Sequence, residues 1–210
     1  MDREVLVYVD LQRTPRLVGR LWARLRKDRE NATFEYDIGK KPVLLLRRFD
    51  RQGGARVPFV SAMSILDARD NEARSYLEFV DVLRQHGASP RQDRHALWRR
   101  IVFSILISNT DDHLRNHGFL WVGQAGWRLS PAYDLNPSID RDELTLAINE
   151  VETACDVAIA LESCREYGLS RPEANEIVER VRKAAGAWRT EAARLRIPRA
   201  EQDLMAQAFE

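Results

Sequence analysis

Lysine is scarce in this 210-residue chain. Of 33 basic residues only Lys27, Lys40, Lys41 and Lys183 are lysines, and the rest are arginines. Lys27 falls in a charged linker, Lys40 and Lys41 in a turn, and Lys183 on a polar helix near the C-terminus. None has the apolar strand setting of a phosphate-pairing lysine. The ten glycines form neither G-x-G-x-x-G nor G-x-x-x-x-G-K, so a glycine-built phosphate cradle is missing. Cysteine is limited to Cys155 and Cys164. Nine apart on an expected helix, they neither face each other nor have zinc spacing, which leaves buried apolar roles. No apolar run approaches the ~18 residues of a membrane span, and the charged start MDREVLVYVDLQR is unlike a secretory leader. A reducing cytoplasm is the expected location. With 33 basic against 32 acidic residues the net charge is +1, so no overall field draws the chain to nucleic acid or an anionic membrane.

The composition that remains is globular, 44% hydrophobic and 31% charged, and the length suits one domain or a small domain attached to a larger one. Val5, Val7, Val9 and Leu11 alternate as a half-buried strand does. A turn over Thr14–Arg16, a returning strand LVGRLW, a polar connection ARLRKDREN and a third strand ATFEYD complete a small β unit over residues 1–37, too small for stability alone. VLLLRRF (Val43–Phe49) reads as a buried strand, and DRQGGARVP as a loop. Helices are expected over 71–86, 91–108, 152–167 and 171–195, with a last one after Pro198. The 91–108 helix is apolar almost all round and should be central. GFLWV and GWRLS form a hairpin. Ser170-Arg-Pro-Glu173 is a capping box with proline in the first turn.

The chemistry-bearing stretch begins where the central helix ends: NTDDHLRNHGFLWVGQAGWRLSPAYDLNPS, from Asn109. Asp111 and Asn116 have the D-x-x-x-x-N spacing of phosphotransferases. Asp134 follows beyond a hairpin. Phosphoryl transfer needs a carboxylate to accept the hydroxyl proton and oxygen ligands to hold Mg²⁺ against the nucleotide phosphates, and these three residues have that chemistry. A polar loop between a buried helix and a hairpin is also what a solvated connection looks like. The hairpin and the second aspartate favour a site. His113 and His117 lack a third partner at metal spacing.

TDDHLRNHGFLW followed by LSPAYDLNPS resembles the catalytic and metal-binding segments of HipA-like serine/threonine kinases, the toxins paired with HipB-type antitoxins. LLLRRFDR is similar to the family's segment linking the two kinase lobes. FVSAMSIL, EARSYLEFVDVLRQHG and AARLRIPRAEQDLMAQAF resemble further parts of it, so the likeness covers nearly the whole chain. It implies an α+β fold, with a small N-terminal β subdomain (1–37) joined to a mostly helical kinase C-lobe (38–210). It implies Asp111 as proton acceptor and Asn116 and Asp134 as Mg²⁺ ligands. Arg47, Arg48, Phe49, His113, Leu114, Arg115, Asn116, Tyr133 and Asp134 would line the ATP site. The implied partners are a HipB-like antitoxin, through it operator DNA, and a protein substrate, with no membrane.

The family's ATP-binding lobe, with its phosphate loop, strand lysine and helix glutamate, would fall between FEYD and IGKKPVLLLRRFDR. Here those segments run directly together. Two functions compete on this basis: an ATP- and Mg²⁺-dependent protein kinase, and a catalytically silent remnant that binds an antitoxin or another protein. A metal-dependent phosphoesterase using Asp111, His113 and Asp134 lacks the ligand count of a two-metal site.

Overall fold

The structure, a computed structural model, describes the backbone of residues 3–11, 14–26 and 29–36 and all of residues 48–209. The chain divides into two compact units, Met1–Arg48 and Phe49–Glu210. The expected strand Val43–Phe49 lies, but for its last two residues, outside the described residues, and so does Arg47.

The first unit contains an antiparallel meander of β1 (Arg3–Leu11), β2 (Thr14–Arg26) and β3 (Arg29–Tyr36) in the order β1-β2-β3. Leu11 pairs with Thr14 and Arg26 with Arg29, so both connections are two residues long. The expected turn at Thr14–Arg16 is absorbed into β2, and the long polar connection is shared between the end of β2 and the start of β3. Ala23 and Leu25 alternate with Arg24 and Arg26, and that period-two pattern continues the strand.

The second unit is mostly helical. Its elements are the short strands β4 (Arg51–Gln52), β5 (Ala55–Arg56) and β6 (Phe59–Ser61), then α1 (Ala62–Ile65), α2 (Leu77–His86) and α3 (Pro90–Leu106). The hairpin β7 (Gly118–Trp121) and β8 (Trp127–Leu129) follows, then α4 (Val157–Glu162), α5 (Arg171–Gly186), α6 (Trp188–Arg194) and α7 (Arg199–Leu204). The expected loop DRQGGARVP therefore holds a tiny hairpin, β4-β5. β6 joins the β7-β8 hairpin in a three-stranded antiparallel sheet. The fold is α+β, as the family resemblance implies.

Helix α3 is the organising element, packed against α2, α4, α5 and β8. Leu97, Trp98, Ile101, Val102 and Ile105 are buried on it, and the Trp98 indole donates to the Ala160 carbonyl at 3.0 Å. Leu106 at its end is only partly buried. α3 also buries Asp93, Arg100 and Ser104, polar residues whose partners lie on the loop and hairpin that follow.

Three helix boundaries differ from expectation. α2 begins at Leu77 because Ser75 bridges to Ala147, and the Tyr76 amide donates to the Ala147 carbonyl at 3.0 Å. Residues 152–155 are extended, not helical. They pair with 142–148, with the Leu144 amide on the Thr153 carbonyl and the Ile148 amide on the Glu152 carbonyl, each at 2.7 Å. Asp156 then caps α4 through the Ala158 amide at 2.7 Å. Cys155 and Cys164 consequently flank a short helix instead of sharing a long one. Both are free thiols, Cys164 buried and Cys155 partly so. The long C-terminal helix breaks after Gly186, a weak helix former, and Trp188 on α6 stacks on Phe209 at 4.4 Å. The Ser170–Glu173 capping box is formed. Among the described residues no helix is long and apolar enough to cross a membrane.

Ile105 is 5% exposed within this core. Ile105→Ala should cost about 2–5 kcal/mol of stability as a cavity substitution, measured by urea denaturation. A loss below about 0.5 kcal/mol, typical of surface changes, would mean that α3 does not organise the core.

Candidate active site

The loop after α3 is shaped by buried polar residues. Ser108 turns it with a positive φ of 49°. Asn109 is 1% exposed, and its Nδ2 donates to Ser104 Oγ at 3.2 Å. Thr110, also buried, accepts at its carbonyl from Thr145 Oγ1 at 2.8 Å. Asp111 and Asp112 then enter opposite environments: Asp111 is exposed and Asp112 is 1% exposed.

Asp112 is held from several sides. Tyr76 Oη donates to Oδ2 at 2.6 Å, Ser104 Oγ to the same oxygen at 3.3 Å, and His117 Nε2 to Oδ1 at 2.8 Å. The other His117 nitrogen, Nδ1, lies 3.3 Å from Arg100 Nη1. A guanidinium can only donate, so Nδ1 presents its lone pair and Nε2 carries the hydrogen. Burial opposes the charge on Asp112, yet the His117 ring, the Tyr76 hydroxyl and the Arg100 guanidinium together outweigh it and keep its carboxyl below the ordinary carboxylate value. Burial pushes the Tyr76 phenol well up, with the Asp112 charge adding to it, so this group serves as a donor. The aromatic faces of Tyr76 and Phe79 complete the wall around His117.

Leu114–Asn116 form one turn of 3₁₀ helix. Leu114 is buried in the core. The Asn116 Nδ2 donates to the Asp111 carbonyl at 3.1 Å, which commits its amide nitrogen inward and leaves Oδ1 as its remaining group. Arg115 is exposed and ion-paired with Asp70. His113 Nδ1 is the one buried side-chain nitrogen or oxygen among the described residues that has no hydrogen-bond partner.

The segment carrying Asp134 is tied to this loop on both sides. Tyr133 Oη donates to the Arg115 carbonyl at 2.7 Å, and the Asn136 amide donates to Asn109 Oδ1 at 3.2 Å. Asp134 lies between these two ties, exposed, with a left-handed φ of 56°, a conformation that aspartate tolerates better than most residues. Its Oδ1 accepts from Asn136 Nδ2 at 2.8 Å. The structure thus draws Asp111, Asn116, Tyr133 and Asp134 around one loop.

Phe49 joins the same region through an aromatic cluster. Its ring centroid is 5.5 Å from that of Tyr133 and 5.8 Å from that of Phe59. Phe59 lies over Gly118, where an added Cβ would come within 2.2 Å of its ring. Arg48 is exposed beside Phe49. Burial raises the Tyr133 phenol to about 12. No group of three or more His, Cys, Asp or Glu residues is arranged to hold a metal among the described residues. A Mg²⁺ ion held at Asp134 and the Asn116 oxygen would meet one carboxylate and one neutral oxygen, and would take its remaining ligands from water and phosphate.

Sequence reasoning missed the support beneath this loop. Tyr76, Arg100 and Ser104 lie on or beside helices whose apolar faces dominate their patterns. Only Arg100 and Ser104, polar residues within an apolar helix, carried a signal.

The model of the HipA-like C-terminal domain family matches residues 19–188. The chain therefore belongs to the HipA-like C-terminal domain family. It is 30% identical over 105 residues, 45% of this chain and 31% of the relative, to a Haemophilus influenzae Rd protein described as "Putative kinase". It also resembles HipA of Shewanella oneidensis MR-1, solved with HipB and operator DNA, at a TM-score of 0.56 and 16% identity, over 91% of this chain and 49% of that one. At that identity the likeness concerns the fold. The chain spans about a third of the Haemophilus protein and about half of the Shewanella one.

Removing Asp112 leaves the hydrogens of Tyr76 and His117 and the nearby Arg100 charge without their acceptor. Asp112→Ala should cost about 3–5 kcal/mol at pH 7. Because the folded carboxyl is held below its unfolded value, its contribution is complete above the unfolded pKa of about 3.9. It is lost as pH falls through the lower folded value. The stability gap between wild type and variant should therefore narrow below about pH 4 in urea titrations across pH. A gap constant from pH 7 to pH 3 would show that the ionised carboxylate is not what the fold uses.

Proposed function

We propose that this chain is the catalytic-loop half of a HipA-like protein serine/threonine kinase, dependent on a phosphate-binding half supplied in trans for turnover. The single observation that carries the reading is the pair of ties from Tyr133 and Asn136 to the Asp111–Asn116 loop. They tie the segment that carries Asp134 to the loop that carries Asp111 and Asn116, in a HipA-like fold.

In this reading Asp111 accepts the proton of the substrate hydroxyl, for which an exposed carboxylate on a rigid loop is suited. Asn116 Oδ1 and Asp134 would hold Mg²⁺, which would supply positive charge to the nucleotide phosphates. Phe49 and Tyr133 offer aromatic surface to the adenine, and the family resemblance assigns Arg47 and Arg48, which precede Phe49 in sequence, to the same role. His113 Nδ1, buried without a partner, supplies a hydrogen-bonding group to bound ATP, and Leu114 and Arg115 complete the loop's contribution. A HipB-like antitoxin is the proposed protein partner, and operator DNA the indirect one. The cytoplasm is the proposed location.

The sequence holds no glycine-rich phosphate loop and no strand lysine. Positioning and electrostatics supply nearly all of phosphoryl-transfer catalysis. The same observation favours a second reading, in which the chain only binds an antitoxin or other protein.

Calorimetric ATP titration beside a radiolabel phosphorylation assay tests the proposal. The chain alone should bind ATP weakly and only with Mg²⁺, and should phosphorylate little or nothing. Asp134→Gly should abolish that binding while stability stays within about 1 kcal/mol, since glycine accepts the positive φ. Binding that ignores both Mg²⁺ and Asp134 would remove the site. Micromolar ATP affinity with robust phosphorylation, lost in Asp111→Ala, would remove the need for a second half. A chain that binds no ATP under any condition would leave protein binding as its function.

A further inference from the structure

A cavity of about 670 Å³ opens between α3, β8, α5 and the segment Ser130–Leu135. None of Asp111, Asn116, Tyr133 or Asp134 lines it. Its volume falls in the range of small-molecule sites, roughly 300–1,000 Å³. Phe103 from α3, Leu129 from β8, Leu135 from the segment and Val181 from α5 give it an apolar floor.

The charge around that floor is one-sided. Four arginines line the cavity, Arg99, Arg100, Arg128 and Arg180, against one carboxylate, Asp93. Asp93 is already satisfied: it accepts from Arg128 Nε at 2.8 Å, Arg128 Nη2 at 3.0 Å and the Leu129 amide at 3.1 Å. Arg128 and Asp93 cancel and Arg100 faces the buried Asp112 charge beyond His117, which leaves Arg99 and Arg180 uncompensated at one cavity in a chain whose net charge is +1. Arg99 and Arg180 are exposed, and among the described residues neither has a carboxylate partner. Arg100 is 8% exposed, bonded to neutral groups only, the Ser130 carbonyl at 2.7 Å and the His117 ring. Burial draws its pKa down, and the Asp112 charge opposes that only in part.

We propose that this cavity binds a small anionic amphiphile, a carboxylate or phosphate group on a hydrocarbon or aromatic body. The body lies on Phe103, Leu129 and Val181, and the anion meets Arg99 and Arg180 at the mouth with Arg100 behind. Planar guanidiniums suit both acid groups because each offers two parallel donors to two oxygens. A neutral or cationic amphiphile of the same length gains only the floor. The inference does not rest on the kinase reading, since the cavity uses none of its residues for phosphoryl transfer.

The test is calorimetric titration of the full chain, without nucleotide or Mg²⁺, using octyl phosphate, octanoate, octanol, octyltrimethylammonium and inorganic phosphate. One equivalent of octyl phosphate or octanoate should bind at least tenfold tighter than octanol, octyltrimethylammonium or inorganic phosphate. The tighter of the two anions identifies the natural head group as a phosphate ester or a carboxylate. The double change Arg99→Gln and Arg180→Gln should weaken the anions at least tenfold and leave octanol unaffected. Ala184→Trp, at an exposed position on the cavity wall, should block every octyl probe without lowering the melting temperature, and it carries the test should the double variant fail to fold. Equal binding of octanol and octanoate overturns the proposal. So does anion binding that survives the arginine changes or the Ala184→Trp plug.

Discussion

The structure around the Asn109–His117 loop depends on one buried carboxylate. Asp112 is placed where water cannot solvate it, and it is kept ionised by donors that come from different parts of the chain: Tyr76 before α2, Ser104 on α3 and His117 before β7. Breaking such a site by removing one member is costly, whereas its net contribution relative to an apolar core is small. The benefit it brings is placement. A residue bonded on both oxygens cannot rotate, and its neighbour Asp111 must then emerge on the opposite side of the backbone, into solvent. The exposure of one aspartate follows from the burial of the next.

Arg100 extends that constraint to the second carboxylate. One arm of its guanidinium reaches the His117 ring and the other the Ser130 carbonyl, at the start of the segment that carries Asp134. Helix α3 therefore sets two things at once: the tautomer of the histidine that orients Asp112, and the path of the chain toward Asp134. Asn109 repeats the arrangement one turn beyond the helix, with Nδ2 on Ser104 and Oδ1 on the Asn136 amide. A rigid helix carrying polar residues among apolar ones is how the fold converts core packing into site geometry.

Much of this was legible in the sequence, and the exceptions have physical causes. The central helix was plain because Leu97, Trp98, Ile101 and Ile105 recur at helical spacing. The loop–hairpin–loop order of Asp111, Asn116 and Asp134 was plain because local motifs fix it. Residues 152–155 misled because their helix-compatible composition was overridden by pairing with 142–148, a tertiary effect that no local pattern encodes. The β2 boundary misled because charged residues were read as a connection when they were one face of an alternating strand. Asp112 was visible only as a neighbour of Asp111. Its burial depends on Tyr76 and Ser104, and contacts across 36 residues leave no periodic trace. The cavity arginines were hidden in the same way: Arg99, Arg128 and Arg180 come from three elements, and a net charge of +1 conceals their convergence.

The distribution of cations bears on what this half-site can do. Asp111 and Asp134 are both exposed carboxylates, and a nucleotide would bring several more negative charges beside them. Arg115, the loop's one arginine, is paired with Asp70, and Arg100 is turned inward to Ser130 and His117. The loop thus orders its anionic groups well and spends its own cations elsewhere. Two carboxylates and a polyphosphate repel unless positive charge is brought between them. One divalent ion offsets part of that charge, and a lysine on an apolar strand is the kind of group that would offset more. None of the four lysines has such a setting in the sequence. Under the proposed kinase reading, this chain would position the proton acceptor and the metal, and the phosphates would be held by groups beyond those found here.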